Sequence, residues 1–224
     1  MSRLTIAICA AMLTAPSIAR AQYVGRERPH AGTFEISGGG LWAGGYSFET
    51  GLANETRNPS TGTEPLTLFQ GEPRLDRGAG AEAHLGVYLS RNMSIEGGVQ
   101  FSRQSLTVRT SGDFESAPDA TATSPTTQYV VDASLLYHFG AGRLVPFASV
   151  GGGYLRQVLE DNSIVETGSQ IHGGGGVKYW FGGGHRFGFR AEARASSRSG
   201  GVTLDASAKR RFVPTLTAGV AYLF

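Results

Sequence analysis

Five histidines, His30, His84, His138, His172 and His185, are the side chains of this chain best suited to moving a proton. A hydrolase needs a nucleophile, a base and an orienting acid within hydrogen-bond reach, and no local motif supplies such a set. No histidine or cysteine pair has metal-ligand spacing on one segment, and the acidic run Glu160, Asp161 and Glu166 reads as solvated loop charge rather than a calcium site. The glycine runs at 38–40, 151–153 and 173–176 invite a phosphate-cradle reading, yet no Gly-Lys-Ser/Thr follows them at the spacing a P-loop needs. More telling are seven charges that fall on alternate positions of apolar segments: Glu82, Glu96, Asp132, Lys178, Arg190, Glu192 and Arg194. Charges of both signs at that spacing suit a network knitted across an enclosed space, because an isolated buried charge is costly.

The segments that carry these charges alternate with period 2, the mark of strands with two unlike faces. Phe212, Pro214, Leu216, Ala218, Val220, Tyr222 and Phe224 share one face of the last segment, opposite small or weakly polar residues. The same pattern recurs near 79–89, 94–102, 129–139, 171–181 and 187–195, and less cleanly near 33–42 and 145–156, which makes eight strands. The connections are long at 43–77, 104–127, 157–168 and 197–211, and short at 91–93, 140–144 and 182–185. Hairpins alternate sides of a meander, so all long loops fall on one side. The stretch 116–127, with Pro118 and Pro125, reads as exposed loop.

The first residues read as a leader. Arg3 precedes an apolar run from Leu4 to Ala15, and Ala19-Arg20-Ala21 places small residues at −3 and −1, so cleavage is expected before Gln22. That gives a signal peptide over 1–21, a periplasmic leader over 22–32 and a barrel over 33–224. Cys9, the single cysteine, lies inside the signal after Ile8 and not in a lipoprotein setting. Removing Arg3 and Arg20 leaves 18 basic residues against 18 acidic ones, a neutral balance that gives no sign of nucleic acid.

Alternation alone fits a water-soluble barrel as well as a membrane one; the question is which face points inward. Three features favour the membrane. The polar sets mix glycine, serine and alanine with a few charges, and lysine is confined to Lys178 and Lys209. Aromatics gather at strand ends, as at Tyr137 and Phe139, Tyr179 and Phe181, and Tyr222 and Phe224. Strands of this length suffice for a tilted crossing, which takes about 9–11 residues. The expected fold is therefore all-β: an eight-stranded antiparallel up-and-down transmembrane β-barrel, closed because lipid leaves no partner for an open edge. Its interior is just wide enough for side chains, so the lumen should be plugged and conduct poorly.

The signal peptide, the strands and the ending Val220-Ala221-Tyr222-Leu223-Phe224 resemble the small outer-membrane β-barrel proteins of the OmpA/OmpX-like class. The resemblance covers 22–224 and implies a bacterial outer-membrane location. It further implies that Phe224, with Tyr222, Val220 and Leu216, is an assembly signal read by the barrel-assembly machinery. Unlike OmpA itself, the chain stops at the barrel. The class includes adhesins, membrane-stabilising proteins and lipid A-modifying enzymes, so fold alone does not give function. Deacylases of the class carry a His-x-Ser pair that does not occur here, and a non-enzymatic monomer without cofactor or metal is expected, working through its extracellular loops. A lipid A-modifying enzyme and a narrow pore are the alternatives. The partners implied are outer-membrane lipid and lipopolysaccharide, the latter through Lys209, Arg210 and Arg211, with Arg198 nearby at the outer rim.

Overall fold

The computed structural model describes residues 29–54, 67–140, 142–159, 164–181, 186–202 and 210–224. The expected signal peptide, most of the leader, His185, Glu160, Asp161 and Lys209 lie outside the described residues. The elements are all strands: β1 Phe34–Ala43, β2 Tyr46–Ser47, β3 Gly51–Asn54, β4 Thr67–Leu75, β5 Gly78–Tyr88, β6 Met93–Ser111, β7 Ala120–His138, β8 Leu144–Leu159, β9 Val165–Phe181, β10 Phe187–Gly200 and β11 Arg211–Leu223.

Eight of them close a ring. β5 pairs with β6, β6 with β7, and so on in sequence order to β11, and β1 seals the ring by pairing with both β5 and β11. Every pairing is antiparallel. The seam runs without interruption from Glu35 opposite Leu223 to Ala43 opposite Thr215. No backbone edge of the ring is left for hydrocarbon, which could not hydrogen-bond it. No described helix is long and apolar enough to cross a membrane.

The faces are inverted relative to a water-soluble protein. Val99, Val131, Leu135, Val150, Ile171 and Val220 are exposed, while Glu96, Gln100, Asp132, Lys178 and Arg190 are buried. Apolar side chains thus ring the outside, and polar ones line the lumen. Outward aromatics flank this band. On the short-turn side Tyr137–Phe139, Tyr179–Phe181 and Tyr222–Phe224 meet edge to face, with centroids 5.0, 5.1 and 5.0 Å apart. Trp42, Phe101, Tyr129 and Tyr154 mark the other edge.

Close strand approach accounts for the glycines. Gly39 and Gly219 face each other across the seam, and a Cβ on either would run into backbone of the partner strand. Within the glycine runs, Gly39, Gly151, Gly153, Gly174 and Gly176 lie equally close to a neighbouring strand, whereas Gly40 and Gly173 have room for a Cβ.

The strands run well past the sequence-derived bounds. The span 104–127, expected to be a loop, is mostly the continued β6–β7 pairing, which extends to Thr110 opposite Ala120. β-Branched residues such as Thr107, Val108, Thr121 and Thr123 favour strand there although the outer face has ceased to be apolar. Pro125 is accommodated because it lies one residue beyond the last β7–β8 pair, where one side of the strand is open. Likewise 43–77 is no simple loop. β2 and β3 continue β1, and β4 leaves β5 to pair with both β3 and β6. The outcome is a wall of sheet on the long-loop side of the molecule.

Candidate functional site

The lumen is layered from the short-turn end upward. At the bottom Tyr88, Val145, Trp180, Ala221 and Leu223 form a buried apolar floor. At the top a second cluster, Phe48, Leu75, Leu106, Leu159 and Val202, closes over the polar interior. Arg211 sits above it, its guanidinium 4.5 Å from the Phe48 ring centre and 5.4 Å from that of Tyr46.

Between the two lies a charge network. Lys178, on β9, has no solvent exposure. Its ammonium donates to Glu35 at 2.8 Å and to Glu96 at 3.3 Å. Arg190, its cross-strand neighbour on β10, donates to Glu96 at 2.8 Å and to Glu192 at 2.7 Å. Arg194 grips the same Glu192 carboxylate in a two-pronged fork at 2.7 and 2.8 Å, and Ser149 donates a further 2.7 Å bond to it. The other nitrogen of Arg194 faces Glu82 at 3.7 Å and Asp132 at 3.8 Å. Glu82 also lies 3.1 Å from His84. The structure thus brings together all seven of the inward charges singled out from the sequence.

Two lumen residues complete the set. Glu35 takes Lys178 and also accepts a 3.0 Å bond from the Tyr88 hydroxyl; its position between outward Phe34 and Ile36 was the available signal. Arg198, expected at the outer rim, is buried instead. Parity explains the move: β10 continues to Gly200, so Arg190, Glu192, Arg194, Ser196 and Arg198 all take the inward face. Arg198 finds amides, donating to Gln128 at 2.8 Å and Gln170 at 3.2 Å. Gln157 joins that layer through a 3.1 Å bond to Gln128. Of the expected basic cluster, Arg210 is exposed and Arg211 is half-buried against the rings.

Two Ser–His contacts deserve a chemical reading. His138 lies 2.9 Å from Ser94, and His172 lies 2.9 Å from Ser134. Each uses Nε2, and the Nδ1 of neither ring has a hydrogen-bond partner among the described residues. The orienting acid of a hydrolytic triad is therefore missing from both. Both pairs are buried inside the barrel, away from the lipid face where an acyl chain would arrive. Among the described residues no three histidines, aspartates or glutamates converge on a point where a metal ion would sit.

A family model for the outer membrane protein beta-barrel domain matches residues 5–224. The chain belongs to the outer membrane protein β-barrel domain family. The family places it in the bacterial outer membrane; barrels of this kind carry short turns on the periplasmic side and longer loops outside. Among solved structures, OprG of Pseudomonas aeruginosa is 14% identical, with a TM-score of 0.59 over 89% of this chain and 99% of that one. That likeness shows a shared fold. Two looser matches are Ail of Yersinia pestis, 13% identical at a TM-score of 0.46 over 87% of this chain and 99% of Ail, and the outer membrane protease OmpT of Escherichia coli, 11% identical at 0.39 over 91% and 99%. No curated protein matches the sequence. The terminal series of this family member projects outward: Leu216, Val220, Tyr222 and Phe224 are all exposed, Phe224 at 68%.

Proposed function

We propose that this barrel is a sealed, non-enzymatic outer-membrane protein that works through its extracellular sheet. The observation that carries the reading is the tall wall formed by β2, β3, β4, β6 and β7. Beyond Phe101 the β6 strand continues for ten residues to Ser111, about 30 Å of chain at the usual ~3.3 Å rise. The wall exposes large apolar side chains above the membrane band: Phe114 at 62% and Leu52 at 57%, with Leu68 and Phe69 nearby. Exposed apolar residues grouped on a rigid support are a common form of interaction site. Its rigidity is supported by the pairing of Gln70–Leu75 with Leu106–Ser111 and by an ion pair of 2.7 Å between Arg109 and Asp119.

Trimming 107–123 to a short turn tests this. The trimmed protein should still show the folded, heat-sensitive gel mobility of a closed barrel, while cells displaying it lose adhesion to surfaces or partner cells that wild-type cells bind. Unchanged adhesion in a folded trimmed barrel would contradict the reading. The absence of an enzyme activity is supported by the enclosed, acid-less Ser–His pairs. Release of fatty acid from lipid A by the purified protein would overturn that part.

A further inference from the structure

The upper seal of the lumen is made by a short strap of chain. After β1 the backbone turns across the barrel top at Gly44 and Gly45. A Cβ at Gly44 would run into the Pro214 ring, and one at Gly45 into the Leu75 carbonyl oxygen. Glycine is what lets the strap lie so close to β11 and β4. β2 then pairs with β4, Tyr46 opposite Leu75, and the Phe48 amide donates to the Pro73 carbonyl at 3.0 Å. The Phe48 ring is buried and packs with Leu75, Leu106, Leu159 and Val202.

Arg211 reaches this strap from β11. It shares strand parity with the buried Val213 and Thr215, so it stands on the inward face. Directly opposite it on β10 is Arg198. Like charges in opposite positions repel, and the two guanidiniums part. Arg198 goes down among the amides of Gln128 and Gln170. Arg211 goes up over the rings of Phe48 and Tyr46, which are themselves 5.3 Å apart. A guanidinium over aromatic faces is attracted to them, more strongly where water is excluded. Arg211 thus ties β11 to a strap whose backbone bonds run to β4. Beneath the strap Ser102, Gln128, Gln157, Gln170 and Arg198 form a buried polar layer. Between layer and strap, Gln104 and Thr126 face each other on β6 and β7. Each has a buried side-chain oxygen without a hydrogen-bond partner among the described residues, the setting in which proteins hold internal water.

We propose that Tyr46 and Phe48, latched by Arg211, form a releasable lid over a hydrated antechamber at the long-loop end of the lumen. Releasing the latch admits small water-soluble molecules to the amide layer and no farther, because the charge network and the apolar floor lie below. The lid rests on the reading of the barrel as sealed, and it names where the outer seal lies and what holds it.

Single cysteines test this in the full chain carrying Cys9→Ser. Ser102→Cys puts a thiol under the lid and Ser94→Cys puts one near the floor; both serines are 1% exposed. Thr121→Cys, on the exposed wall, sets the fast reference. Each reporter is combined with Phe48→Ala or Arg211→Gln, purified in detergent, checked for folded gel mobility and reacted with a small water-soluble methanethiosulfonate. Without a lid substitution, Ser102→Cys should react far more slowly than Thr121→Cys. Arg211→Gln should speed it about tenfold, the weight of two ring contacts, and Phe48→Ala should bring it close to the reference rate. Ser94→Cys should stay slow throughout. If Ser102→Cys stays slow in both folded variants, the latch is overturned while the sealed barrel stands. Fast reaction of Ser102→Cys without a lid substitution overturns the lid, and fast Ser94→Cys in the same background takes the sealed reading with it. An equal rise at Ser94→Cys and Ser102→Cys in the variants would mean general loosening and also overturns the lid. Should Phe48→Ala not fold, Arg211→Gln, which leaves the apolar cluster intact, decides alone.

Discussion

At Lys178 a full positive charge sits out of reach of water between Glu35 and Glu96, with Arg190 beside it on the next strand. Removing one member of a buried ion pair leaves its partner uncompensated and costs on the order of 3–5 kcal/mol. Lys178→Met should therefore lower the urea stability of the detergent-folded barrel by that amount, in the midpoint of the loss of folded gel mobility. Arg198 is the contrast. It is equally deep, but its partners are the neutral Gln128 and Gln170, so Arg198→Met strands no opposite charge and should shift the same midpoint far less. Equal losses for the two variants would mean that burial, not ion pairing, sets the cost. The inward charges themselves were legible because parity within a strand assigns each to a face. Glu35 and Arg198 obey the same parity, but Glu35 lies on one of the less cleanly alternating segments, and Arg198 lies past 195, where the apolar alternation fades and the sequence alone places it at the outer rim. What parity does not carry is which charge meets which. The fork of Arg194 on Glu192 and the reach of Lys178 to Glu35, 143 positions away, follow from ring closure and register.

At the scale of elements, the seam between β1 and β11 depends on glycine. A Cβ at Gly39 would meet the Ala218 carbonyl oxygen and the Gly219 backbone, whereas at Gly40 the nearest atom would be 4.0 Å away. Overpacking of this kind costs about 1–3 kcal/mol or more where backbone has to move. Gly39→Val should sharply reduce the heat-modifiable folded fraction, and the neighbouring Gly40→Val should leave it near wild type. If both fold equally well, the seam is looser than its geometry requires. The eight strands of the ring were legible from alternation bounded by turn residues. The extracellular continuation was not. Above the membrane the outer face is no longer apolar, so the period-2 contrast fades while β-branched residues keep the backbone extended. Turn formers such as Pro118 and Pro125 then look like loop even where, as at Pro125, an open strand edge tolerates them.

For the whole molecule, the proposal of a sealed barrel rests on the polar side chains packed into its interior. Five carboxylates, Glu35, Glu82, Glu96, Asp132 and Glu192, and four bases, Lys178, Arg190, Arg194 and Arg198, are buried in one lumen. Apolar clusters close it at both ends. An eight-stranded ring is just wide enough to be filled by its side chains, which supports the proposal that this barrel is sealed. The membership of the family establishes the barrel and its membrane, and the likeness to OprG shows the shared fold; sealing is a separate property that the lumen contacts support. The direct test is single-channel recording of the purified, folded protein in a planar bilayer. The expected result is a baseline without stable conductance steps across a wide voltage range. Large, regular, long-lived steps from the wild-type protein would contradict it.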